Sequence, residues 1–277
     1  MLVKKYSGEL VQFDESKLHF SLKRSGADEA VIQKIIKRVK EDLTEGKPTQ
    51  KIYSEAFKVL KRLSRASAAR YNLKQSIMKL GPSGFPFEKY IAEIFKYQDF
   101  KVKTNLTFNG KCVTHEVDVL AEKNNMVFVT ECKFHNRQGV KSDVKVALYF
   151  KSRVIDIAKG NQHLPEFKGK EIVGILATNT RFTLDAIAYC KCENIQLISW
   201  DYPQNSSLKD RIEISGLYPV TCLTSLKKRE KQILLDEGIV LGKTLKEKPE
   251  LLNQFKFTKF RKKNIKQELD ELCFQTS

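Results

Sequence analysis

Residues 126–134 restrict the fold more than any other part of this chain. Their sequence, MVFVTECKF, is apolar on both faces of an extended strand, as expected of a central strand in a covered sheet. Glu131 and Lys133 interrupt the pattern and, because they are two residues apart, they project from the same face. Burying such charges without a partner or a metal costs on the order of several kcal/mol. We therefore expect a functional site at this end of the strand.

A second strand, residues 115–121, precedes this one and carries Asp118. The linking residues 122–125 contain an Asn-Asn pair that suits a turn, so antiparallel pairing brings Asp118 close to Glu131. Two neighbouring carboxylates repel each other but form oxygen ligands for Mg²⁺ (or Mn²⁺). Lys133 can then orient or deprotonate an attacking water and stabilise charge on a phosphate, while the metal acts as a Lewis acid. An ordinary buried ion-pair network is the alternative.

Asp118, followed thirteen residues later by Glu131-x-Lys133, resembles the core of the PD-(D/E)xK nucleases, particularly their Mrr-like restriction-endonuclease branch. Residues 84–95, GFPFEKYIAEIF, resemble the first helix of that family, in which a glutamate contacts metal or water, and this role falls on Glu88. Val117 replaces the proline that the family places before its first aspartate. The resemblance implies Mg²⁺-dependent hydrolysis of DNA by Glu88, Asp118, Glu131 and Lys133, with Asp118 and Glu131 as the metal ligands.

Four more polar residues are candidates for contacts to phosphate or water, although solvated side chains are an equal alternative for each: His135, Gln138, Lys145 and Arg153. Lys145 and Arg153 are eight residues apart in one predicted helix, residues 141–159, and so lie roughly on one face. The middle of the chain alternates strands and helices, which predicts a mixed sheet with helices on both faces.

The first part of the chain predicts a hairpin followed by helices. Residues 2–6 and 9–13 form two short strands around Ser7-Gly8, and Asp14 can cap a helix over residues 15–25. Helical periodicity continues over residues 31–43 and 52–63.

VKKYSG at residues 3–8 and FDESKL at residues 13–18 resemble the start of the ATP-cone, a nucleotide-sensing domain; TQKIY at 49–53 and ARYNLK at 69–74 match later parts of it. The resemblance implies that ATP or dATP is bound as a regulator, with the phosphates at Lys5 and Lys17. The residues it assigns to this nucleotide are Val3, Lys5, Tyr6, Val11, Asp14, Lys17, Leu18, Thr49, Ile52 and Tyr53. The alternative is a helical domain that kept the fold and lost the ligand.

The sharpest break in the chain is Gly-Pro-Ser-Gly at residues 81–84, and strand signals stop at Pro203. Beyond it, residues 226–237, 244–252 and 264–272 predict three short helices that resemble tandem helix-hairpin-helix domains. Gly-x-Gly is absent from both expected hairpins, so this segment either binds DNA through lysines or serves protein contacts.

We predict a multidomain α/β protein: an ATP-cone (1–82), a restriction-endonuclease-like domain (83–202) and a small helical domain (203–277).

The 277-residue chain has 50 Lys and Arg against 33 Asp and Glu, a net charge of +17 that favours polyanionic partners, DNA first. Six cysteines without zinc spacing predict reduced thiols. The sequence contains no apolar run of membrane-spanning length and opens without the apolar stretch of a signal peptide, so we expect a cytoplasmic protein without membrane contact.

Cutting both DNA strands usually needs two active centres, which makes a homodimer a reasonable expectation. The leading hypothesis is a nucleotide-regulated, Mg²⁺-dependent DNA endonuclease. The alternative is a non-catalytic, nucleotide-responsive DNA-binding regulator with a relic nuclease fold.

Overall fold

The computed structural model describes residues 1–5 and 7–273. The chain divides into two compact units, one formed by Met78–Ser215 and the other by Met1–Ile77 together with the chain from Gly216 onward. The division into three domains at residues 82 and 202 stays a prediction, and the first and last segments pack within one unit. None of the described helices combines the length and the apolar character needed to cross a membrane.

Three parts of the chain differ in their content of helices and strands. The first part contains β1 (Leu2–Lys4), β2 (Leu10–Gln12), α1 (Glu15–Arg24), α2 (Glu29–Glu41), β3 (Lys47–Pro48), α3 (Thr49–Leu63), α4 (Arg65–Tyr71) and α5 (Leu73–Ile77). The middle part contains α6 (Phe85–Tyr97), β4 (Lys101–Asn109), β5 (Thr114–Lys123), β6 (Met126–Lys133), β7 (Lys141–Ser142), α7 (Val144–Asn161), β8 (Glu171–Thr178), β9 (Arg181–Phe182), α8 (Leu184–Cys192), β10 (Gln196–Ile198) and α9 (Leu208–Ser215). The last part contains a 3-10 turn (Val220–Cys222), α10 (Lys228–Asp236), α11 (Gly242–Glu247), a second 3-10 turn (Pro249–Leu252) and α12 (Lys259–Leu272).

The Met78–Ser215 unit is built on a five-stranded sheet in the order β10-β8-β6-β5-β4. The pairs β10-β8 and β8-β6 are parallel, and β6-β5 and β5-β4 are antiparallel. Val127 and Val129 of β6 belong to the core shared with α7 and α8. Phe128 packs instead against Phe100, which contacts Phe95 of α6. Since neighbouring strand residues face opposite sides, helices cover both faces, and the predicted mixed α/β sheet is confirmed.

A glycine in β8 lets α7 approach the sheet closely. A Cβ atom on Gly174 would lie 3.1 Å from Cε1 of Phe150 and 3.4 Å from Cγ2 of Val154. Phe150 and Val154 are both buried in the core on this side of the sheet. The close approach therefore helps to set the position of α7, the helix that also carries Arg153.

In the other unit, β1 pairs antiparallel with β2, with Val3 opposite Val11, as the predicted hairpin requires. The two-residue strand β3, which periodicity cannot detect, adds to the other edge of β1 in parallel. The N–H of Lys17 donates to Oδ1 of Asp14 at 3.1 Å, so the predicted cap of α1 is present. The core between the helices includes the buried side chains of Leu22, Ile32, Ile35, Ala56 and Leu60.

Two helix predictions in the last part of the chain need correction, and one helix of the middle part was not predicted. The helix predicted over residues 244–252 is two shorter elements, because Pro249 lacks the N–H that a continuous helix needs. The helix predicted from residue 264 begins at Lys259, where the side chain of Thr258 accepts from the N–H of Arg261 at 3.3 Å. Helix α9 was not predicted at all.

Candidate functional site

The strands that carry Asp118 and Glu131 form a hairpin with a two-residue loop. Lys123 pairs with Met126, and Asn124 and Asn125 lie between them. Both asparagines have positive φ angles, 52° and 60°. This is the backbone of a type I′ turn, which favours asparagine and matches the twist of the flanking strands. The predicted turn is present and sets the register of the hairpin.

Asp118 and Glu131 lie beside each other where the pairing of this hairpin ends. The last paired residues are Val119 and Thr130; Asp118 directly precedes Val119 on β5, and Glu131 directly follows Thr130 on β6. Oδ2 of Asp118 accepts a hydrogen bond from the N–H of Cys132 at 2.7 Å. Burial, and after it the charge of Glu131, raises the pKa of Asp118 to about 6. The structure therefore brings the two predicted carboxylates together.

Glu88, in the first turn of α6, adds a third carboxylate to the same neighbourhood. Gly84 precedes the helix with a φ of 79°, and a Cβ atom there would lie 3.4 Å from Oε1 of Glu88 and 3.9 Å from Cβ of Phe134. Glu88 is thus close to the residue that follows β6. Burial raises the pKa of Glu88 to about 7, helped by the charges of the neighbouring carboxylates, Asp118 first.

Arg153 of α7 is the counterion of Glu131. Its Nη1 donates to Oε2 of Glu131 at 2.6 Å, and Nη2 donates to the backbone carbonyl of Glu116. The side chains of Arg153 and Glu131 are 13% and 23% exposed, so this ion pair is largely shielded from water. The sequence identified Arg153 only as a possible phosphate contact, and the structure joins it to a predicted metal ligand.

Lys133, the last residue of β6, has an exposed side chain. Its carbonyl accepts a hydrogen bond from Oγ1 of Thr178 at 2.7 Å, which anchors the strand end to β8. His135 is held by Asn179, whose Oδ1 accepts from the His135 N–H at 2.8 Å and whose Nδ2 donates to its carbonyl at 2.9 Å. Burial and then the charge of Lys133 lower the pKa of His135.

Gln138 and Lys145 lie further along the chain, after β6. Gln138 is half-buried between β6 and β7, and Lys145 is exposed in the first turn of α7. Within the described part of the chain, neither side chain is joined to the three carboxylates by a hydrogen bond or ion pair. Their roles at a phosphate stay predictions.

Glu116 is the residue that the sequence reasoning missed. Its charge raises the pKa of Glu88 and that of Asp118. Glu116 and Asp118 are two residues apart on β5 and share a face of the strand. The alternation that linked Glu131 to Lys133 was the signal that could have found it.

The donor set fits a hard divalent cation. Among the described residues, no three or more His, Cys, Asp and Glu side chains form a metal cluster of their own. Mg²⁺ does not need such a cluster, because it usually takes one or two carboxylates together with waters and phosphate oxygens. Asp118 and Glu131 are adjacent, partly buried and mutually repulsive, so a cation between them would relieve their repulsion.

The apolar residues assigned to a nucleotide lie in the other unit, where they contribute to the hydrophobic core. Val3, Leu18 and Ile52 are buried in the helical core, and Val11 packs against it. Thr49 is half-buried and begins α3.

The two lysines assigned to phosphates are each paired with a carboxylate. Nζ of Lys5 lies 3.0 Å from Oε2 of Glu9, and Nζ of Lys17 lies 3.2 Å from Oδ2 of Asp14. All four side chains are well exposed.

Of the two tyrosines assigned to the nucleotide, only Tyr53 is among the residues that the structure describes. Tyr53 stacks on Tyr71 with ring centres 4.7 Å apart, and its hydroxyl donates to Oδ1 of Asn72 at 2.8 Å. Burial raises the pKa of Tyr53 well above its ordinary value. Tyr6 lies outside the described residues.

Three comparisons relate this chain to known proteins. An uncharacterized protein of Archaeoglobus fulgidus is 35% identical over 152 residues, which cover 55% of this chain and 79% of that relative. The crystal structure of AF1548, a protein of unknown function, matches with a TM-score of 0.56 and 27% identity over 69% of this chain and 98% of its own. The MspJI restriction endonuclease in complex with a 27-mer oligonucleotide reaches a TM-score of 0.33 and 11% identity over 62% and 36% of the two chains, too distant to bear on fold or function.

The model of the C-terminal part of AF1548-like proteins matches residues 218–273. The uncharacterized relative is covered over most of its own length at more than a third identity. This chain belongs to the AF1548-like family.

Proposed function

We propose that this protein is a DNA endonuclease that depends on Mg²⁺ or Mn²⁺. The observation that carries the proposal is the group formed by Glu88, Asp118 and Glu131. Burial and mutual repulsion raise the pKa of two of them, to about 7 for Glu88 and about 6 for Asp118. Perturbed carboxylates of this kind are typical of functional sites, where a ligand supplies the missing compensation.

In this proposal Asp118 and Glu131 would hold the metal ion. When bound, Mg²⁺ supplies a Lewis acid for the phosphate oxygen and makes a coordinated water more acidic. Lys133, exposed at the end of the same strand, stabilises negative charge that develops on the phosphate. Glu88, with a pKa of about 7, can take up or release a proton near neutral pH. It can therefore accept a proton from the attacking water or donate one to the leaving group.

DNA as the substrate is supported by the resemblance to PD-(D/E)xK nucleases and by the net charge of +17. Regulation by ATP or dATP at Lys5 and Lys17 is supported by the ATP-cone resemblance of the first segment. The helix-hairpin-helix resemblance of the last segment supports contacts with DNA or with protein. A cytoplasmic location and a homodimer complete the proposal.

The rival function is a non-catalytic DNA-binding regulator that responds to nucleotide. One observation favours it: the carboxylate of Glu131 is bonded to Arg153 at 2.6 Å, as in an ion pair that only stabilises the fold. In that case Asp118, Glu88 and Glu131 would be the remainder of a site that has lost its reaction.

The test is nicking of supercoiled plasmid DNA in Mg²⁺ and in EDTA. We expect the unmodified protein to nick only with metal, and Asp118→Asn and Lys133→Ala to be slower by about 10²–10³-fold. Asp185→Asn is the matched control, since Asp185 is an exposed aspartate in the first turn of α8. Equal cleavage by Asp118→Asn and the unmodified protein would remove the catalytic assignment. DNA binding without metal-dependent cleavage would select the regulator.

A further inference from the structure

A cavity of about 700 Å³ opens in the unit that contains α3, α4 and α12. It is lined by the last turns of α3, the start of α4 and one face of α12. A volume of this size is typical of sites for small ligands. Its basic lining residues are Lys58, Lys61, Arg62 and Arg65.

None of these four cations forms a hydrogen bond or an ion pair through its side chain with any residue that the structure describes. Other lysines of the same unit are paired: Lys17 with Asp14, and Lys47 with Glu55 at 3.0 Å. Like charges that share one cavity repel each other and favour the binding of an anion.

The two carboxylates that line the cavity are already engaged. Glu268 is 1% exposed, and its oxygens accept from the backbone N–H groups of Thr224 at 2.6 Å and Ser225 at 2.9 Å. Oε1 of Glu271 accepts from the side chain of Gln267 at 2.9 Å. Four cations therefore face two carboxylates, and the lining keeps an excess of positive charge.

Helix polarity explains only part of this cluster. Lys61 and Arg62 are in the last turn of α3, where a cation interacts favourably with the helix dipole. Lys58 lies one turn earlier, and Arg65 is the first residue of α4, where the dipole disfavours a cation. Arg65 is also half-buried. Lys58 is exposed to solvent, so Arg65 is the position that helix polarity leaves unexplained.

We propose that this cavity binds a small polyphosphate anion. Guanidinium groups pair with phosphate oxygens through two parallel hydrogen bonds, and lysines add compact point charges. Asn264 and Ser64 at the wall supply neutral hydrogen-bonding groups. The site is distinct from the position of Lys5 and Lys17, and it does not depend on nuclease activity in the other unit.

The experiment is isothermal titration of the full-length chain with inorganic triphosphate at physiological ionic strength without divalent metal. We expect saturable one-to-one binding. Lys58→Ala/Lys61→Ala should weaken it by about ten- to a hundredfold, as expected for the loss of two charge-assisted contacts. Lys51→Ala/Lys266→Ala is the matched control, because it removes the same charge from exposed positions of α3 and α12 outside the cavity. The control should keep its affinity within about twofold, since surface charges at a distance are screened by salt.

Three results would overturn the proposal: no saturable binding of triphosphate, equal weakening in both double variants, or loss of binding in Lys58→Ala/Lys61→Ala only together with loss of its folded circular-dichroism spectrum. Arg62→Ala, at an exposed position, is a second variant that should weaken binding without affecting the fold. A short single-stranded oligonucleotide provides the last arm. If the Lys58→Ala/Lys61→Ala variant loses more affinity for the oligonucleotide than for triphosphate, the cavity binds a nucleic-acid backbone, and the small-anion assignment is wrong.

Discussion

The carboxylates of the sheet unit and the lysines assigned to a nucleotide in the other unit differ in how far the fold neutralises them. Glu88, Asp118 and Glu131 repel one another, and Arg153 is bonded to Glu131 alone among them. Each of the lysines Lys5 and Lys17 instead has a carboxylate within 3.2 Å on the surface.

This difference shows what a sequence motif leaves open. A motif predicts that residues with useful chemistry are present, whereas the surrounding fold decides whether their charges are already balanced. Unbalanced, partly buried charge is costly, so its persistence indicates a ligand. The basic cavity beside α3 and α12 contains positive charge that has no partner among the described residues, although Lys58, Lys61 and Arg62 are exposed and no motif pointed to it.

The largest expected effect distinguishes a carboxylate of the proposed metal site from one outside that site on the same hairpin. Glu131→Gln should slow metal-dependent nicking by about 10³-fold, because it removes a charge from the proposed metal site. Glu122→Gln is the control, since Glu122 lies on β5 and is paired with Lys170 at 2.8 Å. Initial nicking rates measure the difference, and Mn²⁺ titration measures metal affinity separately. Similar rates for the two variants would show that Glu131 is not part of a catalytic metal site.

The next largest effect concerns stability and Arg153, the counterion of Glu131. Arg153→Ala should lower the free energy of unfolding by about 2–3 kcal/mol, because it leaves Glu131 shielded from water without its partner. Arg181→Ala breaks an ion pair with Asp201 whose side chains are 58% and 41% exposed, and should cost less than about 1 kcal/mol. Urea unfolding measures both values. Adding Glu131→Gln to Arg153→Ala should restore part of the loss; equal costs for the two arginines would show that burial of the pair has no effect.

A smaller effect follows from the raised pKa of Glu88. The ordinary value of 4.5 rises to about 7 in the folded protein. Between these values the folded state holds more protons than the unfolded state, so the free energy of unfolding falls as pH rises through this window. Glu88→Gln should remove the fall and be more stable than the unmodified protein at about pH 8, by about 1–2 kcal/mol after allowance for solvent screening.

Urea unfolding without divalent metal at acidic and alkaline pH measures this effect. Glu122→Gln should change stability in the opposite direction, because Lys170 lowers the pKa of Glu122 and stabilises its charged form. A parallel pH dependence of Glu88→Gln and the unmodified protein would mean that Glu88 carries no raised pKa.

Local signals predicted much of the sheet unit. Alternation located β5 and β6, and the asparagines at 124 and 125 located their turn, because both signals act between near neighbours in the chain. Glu88 could be placed beside the carboxylates only through the family resemblance. The pairing of Arg153 with Glu131 could not be predicted, since it depends on how α7 lies across the sheet.

The same limit applies to the way the first and last segments of the chain pack. Oγ1 of Thr221 donates to the carbonyl of Ser76 at 2.8 Å, and Arg70 donates to the carbonyl of Glu271. The periodicity of either segment does not predict such contacts, because they join residues that are far apart in the chain. The pair formed by Lys17 and Asp14, three residues apart at the start of a helix, was within reach of sequence reasoning.

The smallest effect tests whether such a surface pair prevents a ligand from binding. Lys17→Ala should change the free energy of unfolding by less than about 0.5 kcal/mol, because both side chains of the pair are exposed. So weak a pair is readily exchanged for a phosphate, and dATP affinity measured by titration should therefore fall about tenfold in Lys17→Ala if the nucleotide binds there. Lys23→Ala, in the last turn of the same helix, is the control. Unchanged affinity in Lys17→Ala, together with weakened dATP binding in Lys58→Ala/Lys61→Ala, would move the nucleotide from the predicted site to the basic cavity.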